Sequence, residues 1–241
     1  LLYNISGACF AGLGQLDNAL KSYEQALANK PDYAEVHYNL GVTLQELGQL
    51  DAAVKSYKQA LAINPNYAEA HNNLGNTLND LGQLDAAVKC FEKALAIKPD
   101  FAEVHNNLGN TLKDLNQLDA AVKCFKQALA IKPDYAEAHN NLGNTLTSLD
   151  QLDAALVSYE RAITLKPDIN YILGQSLHTK MHLCIWDDLS NSLNELTKKI
   201  NNNEKVITPF SLLALIDDPK IQRKTAENCV NDMHPKSYVL P

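Results

Sequence analysis

With 241 residues, of which 46% are hydrophobic and 20% charged, the chain has apolar material for a sizeable core and falls outside the disordered and collagen-like classes. Its 21 Lys and Arg against 28 Asp and Glu give a net charge of −7, with no basic run dense enough to neutralise a phosphate backbone, so nucleic acid is not an expected partner. No run of eighteen or more apolar residues occurs, which argues against a membrane-spanning helix. The five cysteines (Cys9, Cys90, Cys124, Cys184 and Cys229) are far apart and include no Cys-x-x-Cys pair. They suggest a reducing cytoplasm rather than a disulfide framework or a zinc site. The start, Leu1-Leu2-Tyr3-Asn4, lacks a basic flank, an apolar h-region and an initiator Met, and reads as a cut from something longer rather than a signal peptide.

Along the chain the first signal is self-similarity with a period of 34 residues. The block from Ala68 to Phe101 differs from that of Ala102 to Tyr135 only at Ala70/Val104, Asn79/Lys113, Gly82/Asn116, Glu92/Lys126, Lys93/Gln127 and Phe101/Tyr135. Five copies are expected, over 1–33, 34–67, 68–101, 102–135 and 136–169. In the second, Leu40, Leu44 and Leu47 recur at helical spacing, Gly48 interrupts, and Leu50, Val54, Tyr57 and Leu61 resume the spacing. Each copy therefore predicts two antiparallel helices. Gly14, Gly48, Gly82, Asn116 and Asp150 stand where the first helix must end in a left-handed residue. Asp17, Asp51, Asp85, Asp119 and Asp153 are expected as N-caps of the second helices. Pro31, Pro65, Pro99, Pro133 and Pro167 close the copies, and Asp32/Glu35, Asn66/Glu69, Asp100/Glu103 and Asp134/Glu137 have capping-box spacing. Gly41, Gly75, Gly109 and Gly143, with Ala53/Ala60 and Ala87/Ala94, mark close helix contact, because a mid-helix Gly costs about 1 kcal/mol against Ala and needs packing to offset it.

Beyond Asn170 the period fades. Leu173, Leu177, Met181 and Cys184 continue one helical stripe, and Trp186, Leu189, Leu193, Leu196 and Ile200 form another, so 170–200 is expected to be a degenerate sixth repeat that caps the array. A helical extension or linker over 201–241 should follow. It holds a short helix from Pro209 to Ile216 and another opened by Asp218-Pro219 and running to about Met233, before an unstructured tail from His234.

The residues Leu74-Gly75, Ala87, Phe91, Ala94 and Pro99 make each copy similar to the tetratricopeptide repeat (TPR), with His37, His71, His105 and His139 where that family usually has Trp. The resemblance covers Leu1 to about Ile169. It implies an all-α, right-handed TPR superhelix, an α-solenoid of antiparallel helix pairs with first helices on the concave side. A second resemblance rests on Met181-His182-Leu183-Cys184-Ile185-Trp186-Asp187-Asp188-Leu189, Thr208-Pro209-Phe210-Ser211-Leu212-Leu213-Ala214-Leu215 and Gln222-Arg223-Lys224-Thr225-Ala226-Glu227. These segments resemble the stretch joining repeats to catalytic domain in O-GlcNAc-transferase-like (family 41) glycosyltransferases. The nucleotide-sugar domain of that family would lie beyond Pro241, so the chain itself is expected to be a binding module rather than an enzyme, without cofactor.

The in-register histidines should stand on the order of 10 Å apart, too far to share an ion whose bonds are about 2 Å long. Packing and hydrogen bonding are their expected roles, and no metal site is expected. The same holds for His182 and Cys184, which no nucleophile motif accompanies. The asparagines are the candidate site. Asn39, Asn73, Asn107 and Asn141 precede the Leu-Gly pair, Asn72, Asn106 and Asn140 lie one residue earlier, and Asn76, Asn110 and Asn144 one turn later. Asn is a mediocre helix former, so a strip of it inside helices needs a reason. Either these amides grip the backbone of an extended peptide or partner protein, as the second resemblance implies for the first four named, or they form a ladder between neighbouring repeats. Glu69, Glu103, Glu137, Asp80 and Asp114 on the same helices argue against an acidic-tail carboxylate clamp and for a neutral, polar or basic segment. Two functions remain open: the substrate-recruiting arm of a glycosyltransferase-like protein, or a free-standing scaffold.

Overall fold

A unit with two apolar helical stripes separated by a residue suited to the left-handed region can bury both stripes only by folding back into a hairpin. The computed structural model, which describes residues 2–233, shows this in every copy, with no strand among the described residues. The tail from His234 lies outside the described residues. The turns carry positive φ at Gly48 (72°), and at Asn116 (59°) and Asp150 (57°), the two non-glycine substitutes.

The chain forms two compact units, divided between Ile131 and Lys132. The first contains α1 (Leu2–Gly12), α2 (Leu16–Asn29), α3 (Ala34–Glu46), α4 (Leu50–Ile63), α5 (Ala68–Asp80), α6 (Leu84–Ile97), α7 (Ala102–Asp114) and α8 (Leu118–Ile131). Odd and even helices pair within a repeat, each even helix packs on the next odd one, and neighbouring first helices touch, α1 with α3, α3 with α5 and α5 with α7. This is an α-solenoid of antiparallel pairs.

One contact is repeated inside each pair. Tyr57, Phe91 and Phe125 are fully buried between alanines, and each ring lies on the glycine of the facing first helix. A methyl built on Gly41, Gly75 or Gly109 would stand 2.6 Å from the ring's Cε1. The mid-helix glycines are therefore sites of close approach.

The helix starts differ from the expectation. The N-caps are Gln15, Gln49 and Gln83 for α2, α4 and α6, and Tyr33, Tyr67 and Phe101 for α3, α5 and α7, none with a side-chain capping bond. Asp17, Asp51 and Asp85 fall inside the first turn, where their charge favours the helix dipole without capping it. The expected capping boxes do not form, because an aromatic takes the cap position and leaves Asp32, Asn66 and Asp100 one residue outside. The Glu is then free for other partners.

The second unit contains α9 (Ala136–Ser148), α10 (Leu152–Leu165), α11 (Ile172–His182), α12 (Leu189–Asn201), α13 (Pro209–Leu213) and α14 (Pro219–Met233). Helices α9 and α10 repeat the Gly143–Tyr159 contact. In α11 the corresponding close approach is by Gly174 to Ile207, and the Gly174 N–H donates to the Val206 carbonyl at 2.8 Å. Leu177, Leu196, Ile200, Val206, Ile207 and Leu212 form one core beneath α11–α14. Trp186, expected in the buried stripe of α12, is 53% exposed and precedes that helix. The helix expected from Pro209 to Ile216 stops at Leu213. Asp218 caps α14 as expected, its Oδ1 accepting the Lys220 N–H at 2.8 Å.

Gly109→Ala should lower stability by about 1–3 kcal/mol, the range for overpacking a filled core, read as a lower thermal midpoint in circular dichroism. Adding Phe125→Leu should recover part of it. An unchanged midpoint in the single variant would show that the ring can yield.

Candidate functional site

In the first unit the asparagines fall on one face of the first helices because Asn72, Asn73 and Asn76 are separated by one residue and one turn, and because each first helix there lies beside the previous one. In the first unit their amides form an ordered relay. Asn107 Nδ2 donates to Asn72 Oδ1 (3.1 Å), Asn72 Nδ2 to Asn73 Oδ1 (3.2 Å), and Asn73 Nδ2 to the Tyr38 hydroxyl (3.1 Å), so the path crosses α7, α5 and α3. A second relay runs from Asn39 Nδ2 to Asn4 Oδ1 (3.1 Å) and from Asn4 Nδ2 to Glu35 Oε1 (3.2 Å).

Position along the helix divides the candidates. Asn72 and Asn106 are buried, at 3% and 6% exposure, while Asn39, Asn73 and Asn107 are half-buried and reach the surface. Asn76 and Asn110, one turn on, are half-buried, and their side chains show no hydrogen bond to protein among the described residues. In the second unit, Asn144 Oδ1 accepts from the Tyr159 hydroxyl (2.9 Å), Asn140 Oδ1 is buried without a partner, and Asn141, like Asn106, makes a contact of its own. The ten asparagines are thus not equivalent: some are structural amides, and Asn76 and Asn110 are the freest.

Two members of the relay escaped the sequence reading. Asn4 and Tyr38 hold the register of Asn72, and the 34-residue alignment that places them was available as a signal. Tyr38 also packs against Tyr67, with ring centroids 4.8 Å apart. Burial raises the Tyr67 hydroxyl to a pKa of about 12, with Tyr38, Glu35 and Glu69 adding to the rise. Burial likewise raises Tyr38, the Asn73 hydrogen bond opposes that, and Glu69 and Glu103 add to it. The carboxylates therefore lie within electrostatic reach of the rings.

The histidines hold the repeat together. One ring nitrogen, Nε2, of His37, His71, His105 and His139 meets the carbonyl of Pro31, Pro65, Pro99 and Pro133 at 2.8–3.0 Å. No group of three His, Cys, Asp or Glu among the described residues could hold a metal ion, and no helix there is long and apolar enough to cross a membrane. Burial pushes the Cys90 and Cys124 thiols up, away from the reactive thiolate. On the second-helix side, α4 and α6 flank a cavity of about 680 Å³ whose lining includes Lys58, Lys89, Lys93 and His71.

Stacked helix hairpins that present a polar, surface-reaching strip on one set of helices define a helical-repeat binding module. The sequence pattern described as "TPR repeat" matches residues 10–48, 44–82, 75–115 and 109–149, and that described as "Tetratricopeptide repeat" matches 136–169. The chain belongs to the tetratricopeptide-repeat family. Its fold is similar to MamA from Desulfovibrio magneticus RS-1, at 22% identity over 69% of this chain and 94% of that one, with a TM-score of 0.65. It is also similar to PilF of Pseudomonas aeruginosa, at 19% identity over 82% and 90% with a TM-score of 0.73. YrrB, a TPR protein with an unusual peptide-binding site, matches at 23% identity over 74% and 90% with a TM-score of 0.62. No curated relative matches the chain.

Asn107→Ala should cost about 1–2 kcal/mol in spite of Ala's better helix propensity, because it leaves the buried Asn72 oxygen without its donor. An unchanged denaturation midpoint would show that the relay carries no stability. His71 yields a pH effect. Burial pushes its imidazole below the ordinary value, the Pro65 bond opposing and Lys93 adding, and Nδ1 is buried without a partner, so a second proton has no acceptor. Its folded pKa is depressed, so its contribution to stability is complete above the unfolded value of about 6.5 and is lost as pH falls toward the folded one. His178 shifts in the same direction through burial and His182, so the comparison must be between variants. Between about pH 7 and pH 5 the melting temperature should fall further in the native chain than in His71→Gln; equal falls would overturn the assignment.

Proposed function

We propose that this protein is a non-catalytic interaction scaffold whose first-helix face holds an extended polypeptide by its backbone. The observation that carries the reading is the half-buried row of Asn39, Asn73 and Asn107, fixed in register by bonds between repeats, with the unpartnered Asn76 and Asn110 alongside. A primary amide has two N–H donors and an oxygen with two lone pairs, so the one bond that Asn39 or Asn107 makes in the relay, or the two that Asn73 makes, leave capacity for another. The peptide group offers the matching C=O and N–H. Gripping and stacking are therefore compatible uses of one side chain. The exposed Glu69 and Glu103 support a neutral, polar or basic segment over an acidic tail. YrrB, with its peptide-binding site, gives a precedent on the same fold, for that protein.

At a finer level, the resemblance of residues 181–189, 208–215 and 222–227 to the linker of O-GlcNAc-transferase-like proteins supports the reading of a cytoplasmic substrate-recruiting arm. Reading the coding sequence past Pro241 tests it. A nucleotide-sugar domain there is the expected result, and its absence would leave a free-standing scaffold.

The binding reading is tested by fluorescence polarisation with a labelled neutral dodecapeptide of serine, threonine, alanine and proline. Asn76→Ala together with Asn110→Ala should weaken binding about tenfold to a hundredfold, each lost bond being worth about 0.5–1.5 kcal/mol, while the melting temperature holds or rises slightly. Unchanged affinity in a fully folded double variant would sink the reading.

A further inference from the structure

A lysine recurs three residues before the aromatic that closes a repeat, and its amine has two kinds of seat. Lys30 lies over the Tyr33 ring (5.1 Å to the centroid), Lys98 over Phe101 (4.5 Å) and Lys132 over Tyr135 (4.9 Å). Where the aromatic gives way to Ile169, Lys166 instead pairs with Glu137 at 2.9 Å. This register thus pairs a cation with an aromatic face or with the carboxylate at the start of its own repeat's first helix.

The second repeat breaks the rule. Asn64 stands in the lysine position, in the same C-cap conformation (φ −126°, ψ 90°) as Lys30 (−144°, 88°) and Lys98 (−132°, 87°). Both acceptors are nevertheless kept: Tyr67 is the ring, and Glu35 is the equivalent of Glu137. Tyr38 adds a second ring against Tyr67, in a register where the later repeats carry Asn. Both rings are half-buried, Glu35 and Glu69 are exposed, and Tyr38 takes the Asn73 hydrogen bond, which places the group beside the asparagine row.

We infer that the Tyr38–Tyr67 ring pair, with Glu35 and Glu69 beside it, seats a basic side chain, arginine or lysine, of an extended partner segment lying along that row. The inference rests on the row being a peptide-binding face. The partner's cation takes the place that the chain's own lysine takes in the other repeats, so this site sets the partner's register. Backbone amides are the same at every residue of a bound strand, whereas a single cation seat is not.

The test uses the neutral dodecapeptide and the same peptide with one central arginine. The arginine peptide should bind roughly tenfold more tightly, in the range of one partly desolvated cation–π contact with nearby carboxylates. Asn64→Lys should abolish that gain without changing affinity for the neutral peptide, because it supplies the lysine that the other repeats already accommodate. Tyr67→Leu should also lose the gain. Equal binding of both peptides to the native chain, or an arginine preference that survives Asn64→Lys, would overturn the cation seat and leave the peptide face standing. Binding of neither peptide would remove the face and the seat together.

Discussion

The approach of an aromatic ring to a glycine in the facing helix sets the geometry on which everything else in each hairpin depends. Tyr57, Phe91, Phe125 and Tyr159 each occupy space that a side chain on Gly41, Gly75, Gly109 or Gly143 would fill. With the ring seated there, the two helices can close on the small Ala53/Ala60-type positions, which are fully buried. A mid-helix glycine is poor for helix formation, yet the buried ring contributes on the order of several kcal/mol if truncation of a core aromatic is the measure. Packing therefore outweighs propensity. A hairpin of constant internal spacing is what allows the next one to stack in register.

That register is what makes a row of amides possible. Asn107 reaches Asn72, and Asn73 reaches Tyr38, only because successive first helices stand at one repeated offset. Each bond is modest in net terms, but leaving a buried amide oxygen unpaired is the larger penalty, so the relay resists displacement of one repeat against the next. Three of the residues that order the stack, Asn39, Asn73 and Asn107, also reach the surface. Rigidity at such a row lowers the entropy lost when a flexible strand is captured, which is where much of the cost of binding a disordered segment lies.

The period made the hairpins legible from sequence, and the left-handed turns followed because Gly, Asn and Asp exchange at one register and share a physical tolerance. The caps were not legible in the same way. Asp-x-x-Glu spacing satisfies the capping-box pattern at Asp32/Glu35, but the aromatic at Tyr33 takes the cap, and nothing local distinguishes the two alignments shifted by one residue. In the terminal region, the stripe ending at Ile200 is legible as apolar, while Trp186 fits its size and spacing and yet lies exposed. The strip of asparagines was visible, but its division into relay members and free amides was not. That division depends on whether a neighbouring first helix covers the position, a long-range fact absent from the 34-residue unit.

Departures from the repeat carry more information about recognition than the repeat itself. A perfect array would present the same amides at every step and so could bind a strand in many registers of nearly equal energy. Tyr38 in place of Asn, and Asn64 in place of Lys, occur in the same repeat and converge on one ring pair, although each change alone departs from the pattern the stack otherwise keeps. Losing the internal lysine removes a cation–π contact of roughly 0.5–1 kcal/mol from the fold, a small cost at an exposed position. What it leaves is an aromatic face and carboxylates within electrostatic reach of one another, at one point beside the asparagine row. In the proposed reading the amide row supplies grip, and the ring pair of the second repeat supplies alignment.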